Sequence, residues 1–157
     1  MGEEEKTCEQ EYKELSSSLP SFEMMAEDFD IEKAFEKETS FIGRDIRHTM
    51  VEKITAYSQL FETFQNPSSP PMFIFSLIRN MTSNDKDLIQ KTYNALAKIQ
   101  IESIKLDTVY NEEKEITFIK ETFDIWQGLK VKILELIEKL GKETEKSTAS
   151  TTKGYFG

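Results

Sequence analysis

Cysteine and histidine are almost missing from this chain of 157 residues, which holds one of each, Cys8 and His48. A single cysteine excludes an internal disulfide framework and any zinc site built from several thiolates. A single histidine excludes every site that needs two. Arginine is scarce as well, with Arg44, Arg47 and Arg79 the only three among 20 basic residues. Bidentate recognition of phosphate is therefore not a theme of this surface. No apolar run approaches the roughly 18 residues of a membrane span, and the N-terminus is acidic where a secretion signal is basic. Met1-Gly2 opens a myristoylation pattern, but Lys6 stands where that pattern has Ser or Thr. Asn80-Met81-Thr82 has the form of a glycosylation acceptor, which matters only in a secreted chain. The expectation is a cytoplasmic protein with no membrane segment and no cofactor.

Charge is present but unevenly placed. Residues 1 to 40 carry 13 acidic and 4 basic side chains, whereas residues 41 to 157 carry 16 of each. The whole net charge of −9 therefore lies in the first quarter of the chain. Attraction to a nucleic-acid backbone needs clustered Lys and Arg, so nucleic acid is not an expected partner. An acidic segment over residues 1–20, with Cys8, Tyr12, Leu15 and Leu19 at helical spacing, either forms an arm or docks as a helix. Phe22, Met24, Met25 and Phe29, set among Glu23, Glu27, Asp28 and Asp30, give the acidic-hydrophobic mixture of interaction segments. Those four side chains are also large enough to dock on the rest of the protein.

The remainder reads as helix. Proline and glycine are rare, and apolar residues recur at steps of three and four. A long helix is expected from about Asp30 to Gln65, along Ile31, Phe35, Ile42, Ile46, Met50, Ile54, Tyr57, Phe61 and Phe64. Thr39-Ser40 and Gly43 are weak helix formers that favour a kink or break in it. Asn66 to Pro71 is the firmest loop. A short apolar helix follows from Met72 to about Met81, with Ser69 as its cap and Pro70 in its first turn. The next helix starts near Thr82, where Asp85 completes a capping box, and buries Ile89, Tyr93, Leu96, Ile99, Leu106 and Tyr110. The last is capped by Asn111 and carries Glu112, Glu113 and Glu115 in its positive first turn. Its stripe is Ile116, Ile119, Phe123, Trp126, Ile133, Ile137 and Leu140, and Lys139 with Gly141 marks its end. Residues 142–157 read as a disordered polar tail. No stretch alternates apolar and polar residues, so the fold class is all-α. The expected architecture is one up-and-down bundle, residues 21–141, of about four main helices with shorter flanking ones.

Catalytic and metal patterns are thin. Asp45-x-x-His48 is the only carboxylate–histidine pair at the Glu-x-x-His spacing that di-metal bundles use. On a helical wheel with Ile42 at the origin, His48 falls at about 240°, away from the stripe through Ile46 and Met50. Asp45 and His48 are thus weak metal candidates that read better as a solvated face, because ligands in a bundle point inward. Glu112-x-x-Glu115 and Glu121-x-x-Asp124 lie on one helix and cannot encircle an ion. Arg44, Arg47 and Lys53 form either a small anion site with His48 or the wet face of a helix. Cys8 lies among carboxylates that raise a thiol pKa, which is unfavourable for a nucleophile. Phe61, Phe64, Phe73 and Phe75 flank the proline loop and read as an end layer of the core.

Two functions from different classes fit these features. The first is a non-enzymatic module that binds another protein or a second copy of itself. The second is a ligand- or metal-binding bundle that uses carboxylates and aromatics. The stripe itself makes a sharp prediction: Trp126 lies at its centre, so Trp126→Ala should cost about 3–5 kcal/mol in urea unfolding. A loss well under 1 kcal/mol would show that the stripe faces solvent.

Overall fold

The computed structural model describes residues 5–38 and 40–155, with side chains described as far as residue 146. Among the described residues there are six α-helices, one 3-10 segment and no strand. They are α1 (Cys8–Leu15), α2 (Phe22–Phe29), the 3-10 segment Ile31–Glu36, α3 (Ile42–Gln65), α4 (Met72–Arg79), α5 (Ser83–Thr108) and α6 (Glu112–Tyr155). The all-α class holds. So do two of the expected helix starts. Thr82 N–H donates to Asp85 Oδ2 at 2.9 Å while Asp85 N–H donates to Thr82 Oγ1 at 3.2 Å. Lys114 N–H donates to Asn111 Oδ1 at 3.0 Å. Each side-chain oxygen satisfies a donor that the first helical turn leaves without a partner.

Three boundaries differ from the sequence reading. The long helix from Asp30 is interrupted: Asp30 takes a left-handed conformation (φ 53°), a 3-10 segment follows, and Lys37 is extended before α3 begins at Ile42. The break falls around Thr39-Ser40 as expected, with Thr39 outside the described residues, but Gly43 lies inside α3. Ser69 does not cap α4; its φ is 67°, and Pro71 takes the N-cap position with no side-chain hydrogen bond. Gly141 does not end α6, whose backbone stays helical to Tyr155 where a disordered tail over 142–157 was expected. A glycine at helical φ only weakens a helix. No proline follows it, and Glu138 and Lys142 have the favourable spacing for a helical pair. Phe156 and Gly157 lie outside the described residues.

The chain divides into two compact units, Met1–Ala56 with Ala97–Trp126, and Tyr57–Leu96 with Gln127–Gly157. In the first, Met25, Phe29, Ile31, Ile46, Met50, Ile54, Ile119 and Trp126 are buried. The N-terminal segment belongs to this core through Tyr12, whose hydroxyl donates to the Pro20 carbonyl at 2.6 Å and whose ring meets Phe22 edge-on at 5.5 Å. Burial pushes the Tyr12 phenol well above its ordinary pKa. The four acidic-segment anchors divide: Met25 and Phe29 are buried, Phe22 is half-buried and Met24 is exposed. Phe29 packs on Trp126 with ring centres 5.7 Å apart. Lys53 places its ammonium over both rings and donates to the Asp28 carbonyl.

In the second unit the core is Phe61, Phe64, Ile74, Ile89, Leu96, Ile133, Leu136 and Leu140. The expected aromatic end layer is only half present. Phe61 and Phe64 pack at 5.8 Å, but Phe73 and Phe75 face outward because Ile74 is the residue that α4 buries. Asp85 is buried and takes a hydrogen bond from Lys139 at 2.9 Å. Burial alone would raise the Asp85 carboxyl, but the Thr82 N–H and the Lys139 ammonium outweigh it and hold it below the usual carboxylate range.

Two glycines separate propensity from packing. A methyl group built on Gly128 meets nothing within 4 Å, whereas one on Gly43 lies 3.1 Å from Glu115 Cβ. Gly128→Ala should therefore stabilise the protein by about 0.5–1 kcal/mol in urea unfolding. Gly43→Ala should destabilise it by about 1–3 kcal/mol, because α3 and α6 must move apart. Equal effects at both sites would contradict the close approach.

Candidate functional site

The most constrained polar cluster of the first unit surrounds Arg47, on the α3 turn before Met50. Its side chain is fully buried, and so is that of Glu115 on α6. Arg47 Nε donates to Glu115 Oε2 at 2.6 Å and Nη2 to Oε1 at 3.2 Å. Nη1 donates to the Ser103 carbonyl at 3.0 Å and to Ser103 Oγ at 2.6 Å. Nη2 also reaches Asp107 Oδ1 at 2.7 Å. Every N–H of the guanidinium thus has an acceptor, the condition under which a buried charge is tolerated. Burial alone would lower the Arg47 pKa, but the carboxylates of Glu115 and Asp107 raise it, so the guanidinium stays charged.

Asp107 joins this buried cluster to the surface. Its Oδ1 lies 2.8 Å from His48 Nε2. A carboxylate has no proton to give, so His48 donates through Nε2. Burial would raise the Asp107 carboxyl, but the hydrogen bonds from His48 and Arg47 prevail and keep it below the usual range. Both side chains are about half exposed, at 46% for His48 and 49% for Asp107.

These positions correct the sequence reading. His48 takes its carboxylate partner from α5, not from Asp45, whose half-buried side chain leaves Oδ2 without a hydrogen bond. Among the described residues no three His, Cys, Asp or Glu side chains gather in a way that could hold a metal ion. The expected wet face of Arg44, Arg47 and Lys53 does not exist as such. Arg47 is internal, and Arg44 stacks on the Phe41 and Tyr110 rings at 5.0 and 5.1 Å. Glu115 is no surface decoration of a helix start, while Glu112, Glu121 and Asp124 are exposed. Cys8 is an exposed free thiol on α1.

Beside the cluster runs an open groove of about 630 Å³. From α3 it is lined by His48, Val51, Glu52 and Thr55, from α5 by Gln100, Ser103, Ile104 and Asp107, with Lys37 completing it. Successive turns of each helix supply these groups, which is why they line up along the groove. Gln100 Nε2 donates to Thr55 Oγ1 at 3.3 Å across it. The second unit offers a different feature: on α4, Met72, Phe73 and Phe75 are 81%, 63% and 45% exposed. No helix among the described residues is long and apolar enough to cross a membrane.

No family model, curated protein or solved structure matches the chain.

The Arg47 cluster yields a prediction on stability. Glu115→Ala should cost about 3–5 kcal/mol, since it strands a buried guanidinium. The double change Arg47→Met with Glu115→Leu should cost less than Glu115→Ala alone. By contrast, Lys13→Ala removes only the exposed pair with Glu9 and should cost less than about 1 kcal/mol. Chemical denaturation of the three variants checks the order.

Proposed function

We propose that the protein is a non-enzymatic self-assembly module, built on an up-and-down bundle of about four main helices, whose contact face is α4. The observation that carries this reading is the inverted burial of that helix. Ile74 is 2% exposed, while its neighbours Met72, Phe73 and Phe75 are all exposed. Single exposed apolar side chains are ordinary, but three large ones grouped on one short helix are the usual mark of an association surface. Flexible Met and rigid Phe are residue types favoured at such contacts.

The occupant is a second copy of the chain. From Met72 to Ile78 the helix carries no charged side chain, so a two-fold contact of α4 with itself sets no like charges against each other. We place the protein in the cytoplasm, a reducing compartment that suits the exposed free thiol of Cys8.

Sedimentation velocity over a concentration series tests the reading. The natural chain should associate reversibly. Phe73→Ser with Phe75→Ser should raise the dimer dissociation constant more than about tenfold while the thermal melt stays within a few degrees. A natural chain that remains monomeric at the highest concentration, or a variant that associates equally well, overturns it.

A further inference from the structure

The groove beside the Arg47 cluster carries chemistry that self-association at α4 does not use. It has one unpaired group of each sign. Glu52 and Lys37 line it, both exposed, and neither forms an ion pair or hydrogen bond with a described residue. It also has an oriented anion. Asp107 is held by Arg47 and His48 through Oδ1 alone, so Oδ2 remains available to a donor. Val51 and Ile104 supply aliphatic wall. The wall is held in place from behind, since Ser103 and Asp107 are both gripped by the buried guanidinium. A site ordered before its ligand arrives loses less entropy on binding.

The surroundings favour a cationic group within that ligand. Segments 1–56 and 97–126 together carry 22 acidic and 11 basic side chains. Such a field raises the local concentration of cations. Lys37, however, opposes a bare cation and suits a ligand that brings a carboxylate as well.

From this we infer that the α3–α5 groove binds a small aliphatic zwitterion, whose primary ammonium is taken by Glu52 and Asp107 and whose carboxylate is taken by Lys37. A volume of about 630 Å³ lies within the usual range for small-molecule sites. The methylenes between the two charged ends would lie against Val51 and Ile104. Each pairing is charge-assisted and lies at the surface, so affinity should be modest and should fall with added salt.

His48 makes the test direct, because its ring signals are the only histidine signals in the spectrum of the chain. The full chain is titrated by nuclear magnetic resonance with 6-aminohexanoate and, in separate arms, with hexylamine and with hexanoate. The His48 signals should move saturably with 6-aminohexanoate at millimolar concentration, and binding should be at least about tenfold weaker with either single-ended probe. Glu52→Gln should weaken the zwitterion by about tenfold. Lys37→Gln should weaken the zwitterion but leave hexylamine unchanged or tighter. Glu52 and Lys37 are exposed, so both variants should fold, which circular dichroism checks. Unmoved His48 signals overturn the inference. So do equal binding of hexylamine and 6-aminohexanoate, and variants that bind like the natural chain. None of these results depends on the oligomeric state.

Discussion

The buried pair of Arg47 and Glu115 is the constraint around which the first unit is arranged. Taking two charges out of water costs several kcal/mol each, and the mutual attraction recovers this only when the remaining hydrogen bonds are all made. Here they are made by groups from three helices: Arg47 from α3, Ser103 and Asp107 from α5, and Glu115 from α6. The geometry leaves little freedom. A slip of one residue in any of these helices would turn a side chain by about 100° and strand a charge. An apolar core tolerates such slips more readily, because one methyl contact replaces another. The cluster is thus better understood as fixing the register of three helices than as a source of net stability. Gly43 is part of the same arrangement, since a side chain there would press on Glu115 at about 3.1 Å.

The N-terminal quarter is held by a different kind of contact. Like charges dominate it, and among its described residues Glu9, Glu14 and Asp30 have a lysine partner. Aromatic packing offsets that repulsion, in a chain from Tyr12 through Phe22 to Phe35 and from Phe29 to Trp126. Lys53 is the one base that serves both ends, resting on the Phe29 and Trp126 rings while bonding the α2 backbone at Asp28. Rings accept a cation on their faces at little cost in desolvation. The segment is therefore anchored through its few apolar residues and keeps its carboxylates in water.

Period and capping made most of the helices readable from the sequence. Thr82 with Asp85, Asn111 and the stripe through Ile119, Phe123 and Trp126 follow rules that act within a few residues of chain. The misreadings arose where a distant partner decides. Arginine usually lies at the surface, but Arg47 stands three residues before Met50 and seven before Ile54, in phase with the buried stripe. Glu115 suits a helix start, but Phe118, Ile119 and Thr122 repeat its phase on the buried side. The phase of both residues was legible; their pairing was not, because 68 residues separate them. His48 and Asp107 are 59 apart, beyond the reach of any spacing rule, while the exposure of His48 fits the solvated face. The end of α6 failed for another reason: glycine stops a helix only when the chain turns left-handed there, and at Gly141 it does not.

Local rules and the folded chain disagree most at two places, and the disagreements have opposite signs. Around Arg47 the chain buries charge that hydropathy assigns to water. On α4 it leaves in water the methionine and phenylalanines that hydropathy assigns to the core. Consistency between local pattern and final burial is what folding alone would favour, so residues that break it carry a cost that stability does not explain. For Arg47 the compensation is visible in five hydrogen bonds inside the chain, and the conflict is settled internally. For Met72, Phe73 and Phe75 no equivalent burial exists among the described residues. Nearly all the area they expose is apolar, and removing it from water is worth roughly 25 cal/mol per Å². That gain is open to a partner, which is why we propose α4, and not the more elaborate polar cluster, as the association surface.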